Sequence, residues 1–126
     1  MLIDNMIKMM LKPAMKKSFG FSEIEIGEFR ANDERDELIT YGEGILKGST
    51  EVVQITSKPQ KLSDNSETVD LFIKRIYDEA KDKGIVINRI IQSVLRFNFK
   101  TNKIETVLYY INGENQKCKT KFENNF

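Results

Sequence analysis

Carboxylates and amines are the only groups in this chain that could do chemistry in number. It holds nineteen Asp and Glu, twenty Lys and Arg, one Cys and no His. Carboxylates can bind a hard divalent ion, or trade protons when their environments pull their pKa values apart, and lysines can neutralise phosphate. Imidazole is the side chain that titrates nearest neutral pH and the commonest ligand for transition metals. Its absence removes Ser-His-Asp and Cys-His nucleophiles and nearly every zinc or iron site built from side chains. The lone Cys118 excludes an internal disulfide and any CxxC motif. These residue types point to a protein that is not an enzyme and uses no cofactor and no metal.

The charges are unevenly spread around a net +1. Residues 22–46 hold eight acids against Arg30 and Arg35, a net −6, whereas residues 1–21 carry +3 and residues 85–126 carry +4. Glu23, Glu25 and Glu28 with Asp33, Glu34 and Asp36 could offer oxygens to a divalent ion, yet no EF-hand spacing is present. Glu28, Asp33, Glu34, Asp36 and Glu37 fit better as an acidic surface for a basic cleft on another protein, a use that needs no ligand geometry. The basic counterpart is Arg96, Lys100, Lys117, Lys119 and Lys121 around Tyr109, which could neutralise phosphates and stack one base of a single strand. Gly42 to Ser49 has Lys before the Gly rather than Gly-Lys, and lies between strands, so it is no phosphate loop. Glu79-Ala80-Lys81 has the ExK spacing of metal nucleases but falls inside a helix, where it reads as paired helix charges.

The elements that must position these groups follow from periodicity. Leu2, Met6, Met10 and Ala14, with Ile3, Ile7 and Leu11, recur at helical spacing over residues 1–20, with Lys8, Lys12 and Lys16 as a separate row. This predicts an amphipathic helix whose Met-rich stripe packs on the sheet, kinked or divided at Pro13. Residues 22–57 read as three strands, with a phase shift at Gly27 and a hairpin at Gly48-Ser49-Thr50; Ser22 and Glu25 also have capping-box spacing, so a short helix there competes.

Residues 66–84 read as a helix with Ser66 as N-cap, a buried face of Val69, Phe72, Ile73, Ile76, Tyr77 and Ala80, and Gly84 as its stop. Residues 88–122 read as hairpins. Ile91, Ser93, Leu95, Phe97 and Phe99 alternate, and a Thr101-Asn102 turn sets Phe99 opposite Ile104 and Leu95 opposite Leu108. A three-residue turn with Gly113 left-handed then puts Cys118, Thr120 and Phe122 inside and Lys119 opposite Glu105, leaving a lysine-rich edge strand.

The sum is a single α+β domain, α-β-β-β-α-β-β(-β), with one mostly antiparallel sheet and helices packed on one face. Apolar residues at 40% and charged residues at 31% suit a globular chain, and no apolar run approaches a membrane span. With one thiol and no signal-like leader, the cytoplasm is the expected compartment. The abundance of Lys, Ile and Asn suggests an AT-rich bacterial or phage source. The element order resembles small bacterial immunity proteins and type III secretion chaperones, in order alone. The expected function is a non-enzymatic protein-binding factor that neutralises a macromolecular partner, of the immunity, antitoxin or counter-defence type. Alternatives are a nucleic-acid-binding accessory protein and a secretion-chaperone-like adaptor. A homodimer through the outer sheet face or the Met-rich helix is a further expectation.

Overall fold

In the computed structural model, which describes the backbone of residues 2–125 and the side chains of residues 5–125, both helices lie on one face of a single antiparallel sheet. The order is α1 (Leu2–Phe19), β1 (Phe21–Asn32), β2 (Glu37–Leu46), β3 (Val52–Thr56), a two-residue β4 (Gln60–Lys61), a 3₁₀ turn (Leu62–Asn65), α2 (Ser66–Asp82), β5 (Ile87–Asn98), β6 (Lys103–Asn112) and β7 (Lys117–Asn125). Across the sheet the strands run β3-β2-β1-β5-β6-β7, with β4 pairing the start of β2. The α+β class, the element order and the sheet are as the sequence predicts, and the third C-terminal strand is present. No described helix is long and apolar enough to cross a membrane.

The core forms where alternating strand residues meet the helices. Phe29, Phe72 and Phe97 form an aromatic cluster between β1, α2 and β5, with ring centroids 4.9 to 6.3 Å apart. Ile76 of α2 packs with Ile90, Leu108 and Tyr110. Ile104, Thr106, Leu108 and Tyr110 of β6 are all buried, and Phe122 of β7 joins them.

Several details depart from the sequence reading, each for a physical reason. Residues 22–25 are strand, so the capping-box alternative fails. In α1 the buried residues are Ile7 and Met15, with Leu11 and Phe19 half-buried, whereas Ala14 is exposed and Met6, Met9 and Met10 are 46, 77 and 57% exposed. The rotation arises because Phe19 and Met15 fill the space above Gly42 and Gly27, which fixes which side of the helix faces the sheet. The expected packing of Leu2 and Ile3 lies outside the described side chains. Pro13 does not divide the helix. In α2, Tyr77 is 40% exposed and the buried face instead includes Arg75 and Glu79. Arg75 donates to Thr106 Oγ1 at 2.8 Å, and the Asn124 amide donates to Glu79. Asn65 rather than Ser66 is the N-cap, because the 3₁₀ turn runs directly into the helix; Gly84 (φ +70°) ends it as expected.

The strand registers shift by even numbers of residues, so faces survive while partners change. Phe97, not Phe99, opposes Ile104, and Leu95 opposes Thr106, because the β5–β6 turn spans residues 99–102. The β6–β7 turn spans residues 113–116 with Asn115, not Gly113, left-handed; Cys118, Thr120 and Phe122 keep the inner face, but Lys119 opposes Tyr109 instead of Glu105. The phase shift foreseen at Gly27 lies earlier, as two irregularities, Phe21/Glu23 and Ile24/Ile26, and this puts Ile26 on the outer face. A matching pair at Ile87/Arg89 and Ile90/Gln92 makes Ile90 rather than Ile91 the inward residue.

These paired irregularities expose a repeat. Residue n of β1 or β2 corresponds to residue n + 66 of β5 or β6: Phe21–Asn32 to Ile87–Asn98, Glu37–Leu46 to Lys103–Asn112, and both bulges to both bulges. Each half is α-β-β-β. Each also has three left-handed residues in the same order, one after the helix and one at each following turn: Gly20, Asp36 and Gly48, then Gly84, Asn102 and Asn115. The halves meet at the β1–β5 pairing, where Phe29 and its equivalent Leu95 face each other.

Candidate interaction surfaces

With both helices on one side, the other sheet face is uncovered. Alternation places Glu28, Arg30, Tyr41, Glu43, Arg96, Val94, Val107 and Tyr109 on it. At its centre Glu28 is only 6% exposed, although it is a carboxylate. Two guanidiniums make that burial tolerable: Arg30 Nε lies 2.5 Å from Oε2 and Arg96 Nη1 lies 3.0 Å from Oε1. The same arginines flank the Tyr41 ring at 5.3 and 6.0 Å. The Tyr41 hydroxyl donates to Glu43, which also accepts from Gln54 at 3.0 Å. Burial, then the Glu43 hydrogen bond and charge, push the Tyr41 phenol above its usual range. This constellation fastens four strands, β1, β2, β3 and β5, through internal pairing.

The predicted basic set is only partly assembled. Arg96, Tyr109, Lys117, Lys119 and Lys121 share the uncovered face, while Lys100 sits in the β5–β6 turn at the end of the sheet. Arg96 is committed to Glu28. Lys119 covers the Tyr109 ring at 5.3 Å, and Lys121 pairs with Glu105 at 3.3 Å. The tyrosine meant to stack a base therefore carries its own cation. Ile39, Arg30, Val94, Val107 and Lys121 form one cross-strand row, so apolar and charged groups are interleaved.

The predicted acidic set also divides. Glu28 lies mid-sheet and Glu37 is half-buried at the start of β2, leaving Asp33, Glu34 and Asp36 together on the exposed β1–β2 turn. That turn is held firmly. Asp36 adopts φ 48°, and its carboxylate accepts from the Ser63 amide at 3.1 Å and the Ser63 hydroxyl at 3.0 Å. Asn32 Oδ1 accepts from the Arg35 amide at 3.2 Å. Arg89 approaches Glu34 at 4.0 Å, both side chains more than half exposed, so that pair is weak. Burial raises the Asp33 pKa, Arg89 opposes the rise and Asp36 adds to it. Among the described residues, no three acid or thiol side chains are placed to share a metal ion.

Sequence reasoning missed Arg30 and Tyr41, the partners that make the central cluster self-satisfied. The signal was available: β2 alternation puts Tyr41 outward, and the β1–β2 register sets it opposite Glu28. Comparison with protein-family models, with curated proteins and with solved structures gives no match to this chain.

Proposed function

We propose that this protein is a non-enzymatic binding factor, of cytoplasmic bacterial or phage origin, that neutralises a macromolecular partner by setting its acidic β1–β2 turn against a basic surface. The observation that carries this reading is the pinning of the turn: Asp36 is anchored twice to Ser63, which holds Asp33 and Glu34 in a preset arrangement at the end of the sheet. A rigid charged projection loses little conformational entropy on docking, and complementary charge speeds encounter and selects partners. The test is affinity capture from the source cells, comparing the natural chain with a Glu34→Lys, Asp36→Asn variant of unchanged circular dichroism. A stoichiometric protein partner should be retained by the first and lost by the second. Equal retention discards the acidic route.

A nucleic-acid reading rests on one observation, the sharing of the uncovered face by Lys117, Lys119, Lys121 and Tyr109. It requires oligonucleotide binding that falls steeply with salt and weakens on Lys119→Glu. Unchanged oligonucleotide mobility at low salt removes it.

A further inference from the structure

At the corner where α1 ends and β1 begins, Lys12, Lys16, Lys17 and Lys47 line an open cleft of about 430 Å³ together with Pro13 and Ser22. Two contacts build this corner. The Lys47 amide donates to the Gly20 carbonyl at 3.1 Å, and Ser22 Oγ donates to the Ile45 carbonyl at 3.1 Å. They bring a lysine from the β2–β3 turn beside three from the helix. No acid lines the cleft, and among the described residues none of its four lysines forms an ion pair. The helix dipole favours Lys16 and Lys17 in the last turn, and Lys12 Nζ lies 5.7 Å from the centre of the Phe99 ring, but neither contact accounts for Lys47.

The repeat supplies an internal control. In the second half the corresponding segments, the end of α2 and the β6–β7 turn, hold Asp82 and Glu114 as well as Lys81 and Lys83. The architecture therefore folds with mixed charge there, and four like charges are not a requirement of the corner. Like charges gathered in one concavity repel each other and concentrate a positive potential. A compact polyanion relieves that repulsion, and lysine, a point charge with three donors, suits phosphate oxygens.

We propose that this cleft binds an oligophosphate group, two or more linked phosphates, either free or as the tail of a nucleotide. Titration calorimetry at fixed ionic strength tests it with inorganic tripolyphosphate, ATP and orthophosphate. Tripolyphosphate should bind once per chain and orthophosphate at least tenfold more weakly. Lys16→Glu and Lys47→Glu should each weaken tripolyphosphate at least tenfold, while Lys117→Glu, on the distant edge strand, should change it less than twofold. ATP binding equal to tripolyphosphate assigns the phosphate chain alone; tighter ATP binding assigns a nucleotide. Absence of saturable binding at low salt overturns the proposal, as does a Lys117→Glu loss matching that of Lys47→Glu. Ligand-free assembly at low salt that Lys47→Glu abolishes also overturns it, since the occupant would then be the acidic turn of another copy. The calorimetric readouts are independent of capture by the acidic turn.

Discussion

The two α-β-β-β halves share a backbone plan but fill it with opposite allocations of volume. In the first half β2 carries Gly42 and Gly44 on its inner face, and the rings of Phe19 and Phe21 fold over them. At the corresponding places in the second half, β6 carries Leu108 and Tyr110, and the smaller Ile85 and Ile87 pack beside them. Bulk at the helix–strand corner is thus exchanged for bulk in the neighbouring strand. Protein interiors are as dense as organic crystals, so what a duplicated fold must keep is filled space, while the residue that fills it can move. The surfaces diverge more freely than the cores. The outer face of the first half is tied around buried Glu28; that of the second is rimmed by exposed ion pairs such as Lys103 with Glu123 at 3.3 Å.

The sharpest way to break this comparison is to alter volume on each side. Leu108→Ala leaves a cavity in a fully buried position and should cost about 3 kcal/mol in urea unfolding. Gly44→Ala does the reverse: a Cβ there runs into the Glu23 carbonyl oxygen, which is backbone and cannot yield cheaply. Its expected loss is likewise about 3 kcal/mol. If Gly44→Ala were neutral, the exchange of bulk between the halves would not be the rule that shapes them.

A smaller effect separates the buried charge from the rim charges. Glu28→Gln leaves two arginines facing a neutral amide, and should cost about 2 kcal/mol once the partial exposure of Arg30 and Arg96 is allowed for. Lys103→Ala should change stability by under ~0.5 kcal/mol, because both members of its pair are half-exposed. Equal effects from the two variants would erase the distinction between the halves. Met6→Ser with Met10→Ser belongs in the same small class, since neither side chain is in the core.

The smallest effect is a pH signature at the acidic turn. A carboxyl whose folded pKa is raised destabilises the fold when ionised, so the stability linked to Asp33 is present below its unfolded value and lost as pH rises through the folded one. Asp33→Asn should therefore melt slightly higher than the natural chain at pH 7, with the difference vanishing at pH 3. A variant that melts lower at pH 7 reverses the sign and removes this reading of the turn.

Periodicity and parity made the element types and the face assignments readable in advance. Cys118, Thr120 and Phe122 face inward although their register is four residues from the predicted one, because an even slip leaves every side chain on its own side. Odd insertions were the blind spot. The bulges beside Ile24 and Ile90 each reset the phase, and no residue type there announces them. The Met stripe failed because apolar spacing shows that a helix has a face, not which row meets the sheet; Met15 above Gly27 and Phe19 above Gly42 decide that. The repeat itself was hidden by divergence. Within the paired strands only positions such as Ile24 with Ile90, Arg30 with Arg96, Asn32 with Asn98, Thr40 with Thr106 and Ile45 with Ile111 are unchanged. Lys47 joined the lysine cleft unannounced, since it reaches α1 only through the folded hairpin.

The β1–β5 seam has a kinetic meaning. Every other long strand pair in the sheet joins chain neighbours through a short turn, whereas the seam joins residues as far apart as Ile26 and Asn98. Closing so long a loop costs entropy before any bond rewards it, so the hairpins of each half are expected to form first and the seam last. Until it closes, β1 and β5 are open edges with apolar inner faces, the kind of surface through which one chain captures another. Refolding yield should then fall as protein concentration rises, with losses set during the interval before the two halves find each other.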